Sequence, residues 1–164
     1  MKKYIGAFAS ALAGILTFVF LSLDGIFRKA SAAGLSTSSG TSGWDIIKDE
    51  NGIYANADGY TLYKVAAIIL LVLACLLIIS AVVIILRNLK VFKSKVKFNA
   101  LNNLLLVVNA ICAILVFVGA CVMGGNMSVG ETIKVTAGVG SWLVMVTGVV
   151  TCALGCLFAR DTKK

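Results

Sequence analysis

The sequence contains no histidine and no proline, and it is poor in charge. Charged residues make up 13% of its 164 residues, about half the share found in ordinary globular chains. Hydrophobic residues make up 60%. A soluble protein of this length needs more polar surface than these residues can supply, so the composition indicates a protein embedded in lipid.

Several classes of chemistry are excluded by the same absences. Without histidine, neither a Ser-His nor a Cys-His nucleophile pair can form. The long apolar stretches also contain no Asp, Glu, Lys or Arg, whereas proton relays and ion-coupled pumps depend on ionisable groups within the membrane. We therefore expect neither an enzyme nor an ion-coupled transporter, and we expect no cofactor and no metal ion.

The cysteines all lie within apolar stretches, at Cys75, Cys112, Cys121, Cys152 and Cys156. None lies in a predicted loop, where an exported domain would use disulfides. Cys152 and Cys156 share a helix face, but no histidine or carboxylate is near them in the sequence. We expect all five to be small packing residues.

Four apolar stretches predict transmembrane helices, at about residues 4–23, 65–86, 104–124 and 139–158. Each has about 20 residues, enough to cross roughly 30 Å of hydrocarbon at 1.5 Å per residue. None alternates between apolar and polar residues as a β-barrel strand does. The predicted fold class is an all-α membrane protein, a four-transmembrane-helix bundle in one membrane domain of residues 1–164.

The first stretch could instead be a cleaved signal peptide, because it follows two lysines. Its apolar run is longer than a signal core, however. The charged stretch Asp24–Lys29 also separates it from the small residues at Ala30-Ser31-Ala32. We expect a retained helix.

The distribution of charge predicts the orientation. With the N-terminus inside, ten of the fifteen basic residues lie in the inner segments and six of the seven acidic residues lie in the outer loops. Basic residues resist translocation, so both termini and the loop 87–103 should be cytoplasmic and the loops 24–64 and 125–138 should be outside. This predicts a multi-pass protein of the plasma (cytoplasmic) membrane, and the net charge of +8 is not an indication of nucleic-acid binding.

The inner loop carries five basic residues, Arg87, Lys90, Lys93, Lys95 and Lys97. One interpretation is contact with an anionic inner leaflet, at about 1 kcal/mol per basic residue. The alternative is that these residues only set the orientation.

The first outer loop divides into two parts. Residues 30–43 are rich in Ser, Gly, Thr and Ala, and we expect them to be mobile. Ser42 and Asp45 fit a capping box, which predicts a short helix over about Gly43–Glu50 that Asn51-Gly52 ends.

Three residues of this loop region are candidate contacts. Trp44 and Ile47 would share one face of the short helix, and Tyr60 lies near the outer end of the second span. Their expected contact is the membrane surface, the outer end of the bundle or a partner.

Asn109 is the one strongly polar residue well inside a predicted span. It is expected either to hydrogen-bond a neighbouring helix, worth roughly 0.6 kcal/mol on average, or to line a polar path. Asn102 and Asn103 lie nearer the inner end, where no special role is expected.

Small residues form two stripes at four-residue spacing. One comprises Gly6, Ser10 and Gly14, and the other comprises Thr147, Thr151 and Gly155. Small residues allow close approach of helices in lipid, so each stripe predicts a helix contact, within one bundle or with a partner subunit. The second span lacks such a stripe, and we expect much of its surface to face lipid.

The layout resembles that of claudin and MARVEL-like tetraspan proteins: four helices, both ends inside, a long first outer loop and a short second one. It also resembles small four-helix membrane proteins of bacteria. A claudin first loop carries Gly-Leu-Trp-Cys and a second cysteine, whereas Trp44 here has no cysteine in the loop. The resemblance implies a four-helix fold and assigns no functional residue.

Two functions remain open. The first is a non-enzymatic scaffold or accessory subunit, with the lipid bilayer and either further copies of the chain or another membrane protein as partners. The second is an oligomeric channel for ions or small uncharged solutes, lined by residues such as Asn109, Ser80, Thr147 and Thr151.

Overall fold

The computed structural model describes residues 4–32, 35–49, 52–89, 91, 98–128 and 132–160. The fold is mostly helical, at 73%. In chain order its elements are α1 (Ile5–Leu21), β1 (Asp24–Ala32), β2 (Leu35–Ser42), α2 (Gly43–Lys48), α3 (Tyr60–Asn88), α4 (Phe98–Met127), β3 (Ile133–Ala137) and α5 (Val139–Arg160).

Three helices are long and apolar enough to cross a membrane. They are the segments Tyr60–Asn88, Ala100–Met127 and Val139–Cys156 of α3, α4 and α5. Helix α1 is also apolar but has only 17 residues. Helix α3 begins at Tyr60, earlier than its predicted start near residue 65, and so includes Tyr60 and Tyr63.

Four helices contact one another in a ring, in the order α1, α3, α4, α5 and back to α1. Their buried residues follow spacings of three and four. On α4 the residues at most 1% exposed are Asn102, Leu106, Asn109, Ala113, Val116, Ala120 and Met123. This seven-residue repeat is typical of helices that pack at a shallow left-handed angle.

Helix α3 has a stripe of small residues that sequence reasoning missed. Ala67, Ala74 and Ala81 are spaced by seven and are each at most 2% exposed. The opposite side of α3 carries large exposed residues such as Val72 and Ile79. Helix α3 therefore has small buried residues at seven-residue spacing, although it has no stripe at the four-residue spacing considered above.

A small antiparallel sheet corrects the all-α prediction. Its strand order is β2-β1-β3, so strand β1 lies between a neighbour close in sequence and one about a hundred residues away. Strand β3 alternates, with Val135 buried between the exposed residues Lys134 and Thr136. That alternation is typical of a half-buried strand.

The prediction of a mobile segment over residues 30–43 was also wrong. Much of this segment is strand β2, which pairs with β1 from Leu35 to Ser42. Its side chains between Ser36 and Gly40 are exposed, as the composition implied. The segment is ordered because its backbone hydrogen bonds are made to β1, and pairing of this kind does not require buried side chains.

Half of the predicted capping box is present at the start of α2, because Ser42 caps Asp45 N while the Asp45 carboxylate bonds the Ser42 hydroxyl rather than its backbone N–H. The Ser42 hydroxyl accepts from Asp45 N at 3.2 Å and donates to Asp45 Oδ2 at 2.7 Å. The helix ends at Lys48, and Asp49 takes the left-handed conformation with φ 38°. Asn51-Gly52 therefore does not end the helix, and Asn51 lies outside the described residues.

The largest buried cluster lies where the sheet meets the helices. Ile26 and Val135 of the sheet, Ile46 of α2, and Tyr63 and Met123 of the helices all belong to it. We call this end of the helices the sheet end. The opposite end is where α1 begins and α3 ends.

Candidate functional site

Asn102 links three helices near the opposite end. Its side chain is 1% exposed, and its Oδ1 accepts hydrogen bonds from Ser10 Oγ of α1 at 2.8 Å and from Ser80 Oγ of α3 at 2.7 Å. Its Nδ2 lies 3.5 Å from the Gly6 carbonyl oxygen. The expectation that Asn102 has no special role was wrong, because the turn of α4 directs it between α1 and α3.

The Ser10 hydroxyl also has a second acceptor. It lies 2.9 Å from the carbonyl oxygen of Gly6, one turn earlier in α1. A hydroxyl has one proton, so the Ser10 donor is shared between Gly6 and Asn102. The bond from Ser80 is thus the firmer of the two links to Asn102.

Asn109 is placed between the helices but makes no equivalent link. It is 1% exposed, and its Oδ1 has no hydrogen-bond partner among the described residues. Its backbone oxygen lies 3.8 Å from the place a Gly148 side chain would take, so this part of α4 faces α5. The predicted interhelical hydrogen bond of Asn109 stays a prediction.

The first small-residue stripe contacts α3 of the same chain. A Cβ at Gly14 would lie 2.8 Å from the carbonyl oxygen of Ala74 and 2.6 Å from Ile78 Cγ1. Ser10 is fully buried beside it. Gly6 differs, because a Cβ there would meet nothing within 4 Å.

The second stripe contacts α4. A Cβ at Gly155 would lie 2.5 Å from Leu106 Cδ1, and one at Gly148 would lie 2.8 Å from Ala113 Cβ. Thr151 is buried, and its hydroxyl donates to the Thr147 carbonyl at 2.7 Å. Gly148 was not among the predicted residues, because it is out of step with the four-residue spacing that defined the stripe.

The sheet is fastened to the helix ends around Tyr63. This α3 side chain is fully buried, and its hydroxyl oxygen lies 2.6 Å from where a Gly25 side chain would begin and 2.9 Å from the same point on Gly43. Ser141 of α5 donates to the Gly25 carbonyl at 2.8 Å. Glycine is needed at both positions because a helix side chain occupies the space beside them.

Helix α2 is held by its own contacts. Ile46 is fully buried, whereas Trp44 and Ile47 are half-buried. The Trp44 ring stacks on Phe18 of α1 at 6.5 Å, and its Nε1 donates to Ser22 Oγ at 3.1 Å. Part of the Trp44 surface predicted to contact a partner or the membrane is therefore used within the chain.

Tyr60 is buried, and Lys64 covers it. The Lys64 ammonium donates to the Tyr60 hydroxyl at 3.0 Å and lies 5.3 Å from the ring centroid. Tyr60 is 8% exposed, which leaves little of it for an outside partner.

The face of the sheet that points away from the buried cluster is polar and cationic. Paired residues of an antiparallel sheet project to the same face, and Phe27 pairs with Thr136 while Lys29 pairs with Lys134. All four are exposed. We call this surface the exposed face of the sheet.

The hydrogen bonds of β1 show which backbone N–H and C=O groups of β2 lie on the open edge of the sheet. Gly138 N donates to Gly25 O at 2.8 Å, and Ser31 N donates to Thr132 O at 2.7 Å. Bonded and non-bonded pairs alternate in an antiparallel ladder, so the odd-numbered residues of β1 bond to β3 and the even-numbered ones bond to β2.

Their β2 partners are Thr37, Ser39 and Thr41. The N–H and C=O groups of the intervening residues, Ser36, Ser38 and Gly40, therefore point away from β1. Within the part of the chain that the structure describes, no hydrogen bond reaches these groups.

The other edge of the sheet is covered. Val135 N donates to Ser128 Oγ at 3.0 Å, just beyond the end of α4. The same hydroxyl lies 3.4 Å from the Val135 carbonyl oxygen. Strand β3 is therefore blocked at its centre, whereas β2 is open.

Of the predicted inner-leaflet residues only Arg87 is described. It lies in the last turn of α3 and is half-buried. Lys90, Lys93, Lys95 and Lys97 lie outside the described residues, so their role stays a prediction.

Comparison with known proteins yields no assignment: no protein-family model, no curated protein and no solved structure matches this chain. Within the described ranges there is no group of three or more His, Cys, Asp or Glu residues able to hold a metal ion.

Proposed function

We propose that this chain is a non-enzymatic four-helix membrane protein that acts as a scaffold, or as an accessory or assembly subunit. It would hold the sheet and α2 as a fixed platform on the outer side of the plasma (cytoplasmic) membrane. The observation that carries this proposal is the attachment of the sheet to the helix ends through Tyr63, Gly25 and Ser141.

Helix α1 is proposed as the fourth span. Its 17 residues cover about 26 Å at 1.5 Å per residue, close to the roughly 30 Å hydrocarbon thickness. It packs against α3 and α5, and its other side exposes Phe8, Ile15 and Val19. Because α1 packs against two spans and its other side is apolar and exposed, we propose that this side contacts lipid.

The orientation follows from charge. In the sequence, six of the seven acidic residues lie between α1 and α3 or between α4 and β3, and ten of the fifteen basic residues lie before α1, within residues 87–97 or from Arg160 onward. Because basic residues are retained on the cytoplasmic side, we place the sheet outside and both termini inside.

The hydrogen bonds between helices support a static role. Asn102 uses its Oδ1 on Ser10 and Ser80, and the Thr151 hydroxyl is used on its own helix. Polar groups satisfied within the chain stabilise one packing arrangement and are not free to bind a permeating solute.

An oligomeric channel is the second candidate, and one observation favours it. The Asn109 Oδ1 is buried and unpartnered among the described residues, which is unusual because buried polar groups are normally satisfied. A permeating water or ion could supply the missing partner. Asn109 lies between helices of one chain, so such a path would run within each subunit.

Leakage from reconstituted vesicles distinguishes the scaffold from the channel. We expect vesicles containing the protein to remain as tight to protons and K⁺ as empty vesicles, and Asn109→Leu to leave this unchanged. A leak that depends on protein and falls in Asn109→Leu would favour the channel and contradict the scaffold.

The mass of the extracted protein tests the scaffold function directly. We expect the protein extracted in native lipid discs to have the mass of a complex, either several copies or one copy with another membrane protein. The platform variant Gly25→Ala, whose new methyl group would crowd the Tyr63 hydroxyl, should weaken this complex while still inserting. A control pair at the lipid-facing positions Val72→Leu and Ile79→Leu should keep it. A monomeric wild type would overturn the scaffold.

A further inference from the structure

We infer that the open edge of β2 is a homotypic interface, at which β2 of one copy pairs antiparallel with β2 of a second copy to give a continuous six-stranded sheet. This inference rests on the proposed function, because it needs both sheets on the same side of one membrane. It goes beyond that function by naming the surface and the partner.

The two edges of the sheet differ, because β3 is covered and β2 is not. An exposed strand edge is a template for pairing with another chain, and proteins usually block it with charge, proline or a covering element. Strand β3 is covered by Ser128 and carries Lys134. Strand β2, Leu-Ser-Thr-Ser-Ser-Gly-Thr-Ser, has neither charge nor proline over eight residues.

The outward backbone groups of β2 are complementary to themselves. With Ser38 opposite Ser38 of the second copy, Ser36 faces Gly40 in both directions. Each of these three residues has an outward N–H and an outward C=O, so two copies can form about six N–H to C=O bonds. Their side chains are small, so no bulky group obstructs the pairing.

Charge permits this pairing although the chain carries a net charge of +8. The nearest cations on the sheet, Arg28 and Lys29, lie on β1, one strand behind β2. Across the paired sheet, Lys29 of each copy would be separated by three strand spacings, about 14 Å. That exceeds the screening length of about 8 Å at physiological salt. Pairing through β3 would instead bring Lys134 of both copies to the interface.

One acidic group is also near this edge. The Asp24 carboxylate lies over Gly40, in the space that a side chain at position 40 would take. In the proposed register Gly40 faces Ser36 of the second copy. A serine hydroxyl there can donate to the carboxylate, so the Asp24 charge meets a donor rather than a like charge.

The test compares a charge placed on the edge with the same charge placed off it. Ser38→Lys puts two ammonium groups directly opposite each other in the proposed pair, while Thr136→Lys adds the same charge to the same exposed face on β3. In lipid discs we expect the wild type and Thr136→Lys to have the mass of a dimer or larger assembly, and Ser38→Lys to be monomeric.

Cross-linking tests the register. In a background with the five native cysteines replaced by alanine, Ser38→Cys should form a disulfide between copies on mild oxidation, because paired Cα atoms would lie about 5.5 Å apart. Thr136→Cys should not. A wild-type monomer, equal masses for the two lysine variants, or no Ser38→Cys cross-link would overturn the inference.

The homotypic interface and the proposed function can be contradicted by different results. If β2 binds a strand of a different protein and not itself, the homotypic inference is wrong and the scaffold function stands. If the dimer forms but the sheet is reached only from the cytoplasmic side, the proposed platform is wrong and the pairing stands.

Discussion

Replacing Asn102 and Asn109 with leucine should have opposite effects, although both are asparagines buried in the same face of α4. Asn102→Leu removes the acceptor for Ser80 and for the shared Ser10 proton. At roughly 0.6 kcal/mol for each interhelical bond, we expect a loss of about 0.6 to 1.2 kcal/mol in the free energy of unfolding.

Asn109→Leu removes an acceptor that has no partner among the described residues. An unsatisfied buried polar group costs about 1–3 kcal/mol, and leucine has a similar size, so we expect no loss and a gain of up to about 1 kcal/mol. The difference between the variants should therefore be about 0.6 to 2.2 kcal/mol.

The assay is reversible unfolding of the two variants in lipid–detergent micelles, followed by the same spectroscopic signal as the wild type. Each transition gives a free energy, and the difference between the variants cancels most effects of the micelle. A larger loss for Asn109→Leu than for Asn102→Leu would refute the assignment of Asn102 as the residue that links the helices.

Two further predictions concern the sheet. Gly25→Ala should destabilise the sheet end by about 1–3 kcal/mol, because the new methyl group would lie 2.6 Å from the Tyr63 hydroxyl oxygen; faster proteolysis within β1 would show it. Gly6→Ala is the control and should be tolerated, since nothing lies within 4 Å. Ser128→Ala should leave Val135 N–H without its acceptor, so its amide should exchange with solvent about tenfold faster, and unchanged exchange would contradict the covered edge.

Hydropathy alone predicted the positions of the long helices, because each apolar run is long enough to cross a bilayer. It could not show which side of each helix faces inward. On α3 the inward residues Ala67 and Ala74 and the outward residues Val72 and Ile79 are all apolar. Size does not separate the two sides either, because Leu70 and Leu77 are fully buried beside the alanines.

The roles of the asparagines could not be predicted from depth in the span. Asn109 was predicted to have a role because it lies far inside an apolar stretch, whereas Asn102 lies near the end of the helix. What decides the hydrogen bonds is whether a neighbouring helix offers a donor at the same level. Ser10 and Ser80 do so for Asn102, and they lie 92 and 22 residues away in the chain.

The sheet was missed because the β1–β3 pairing joins residues about a hundred apart, and because the local β1–β2 pair lacks the usual composition of strands. Strand β1 is charged at Arg28 and Lys29, and β2 lacks large β-formers, so neither has the usual composition of a strand. Strand β3 could have been predicted from the sequence, since Ile133, Val135 and Ala137 alternate with polar residues. The capping box at Ser42 was predicted because its signal lies within four residues.

If the helices cross the membrane and hold the sheet outside, Thr136 can be reached from outside an intact cell and Phe92 cannot. In the background without native cysteines, Thr136→Cys on the exposed face and Phe92→Cys in the basic loop should each be treated in intact cells with a membrane-impermeant maleimide. We expect labelling of Thr136→Cys in intact cells, and of Phe92→Cys only after the membrane is opened. Labelling of Phe92→Cys in intact cells, with Thr136→Cys protected, would contradict this arrangement.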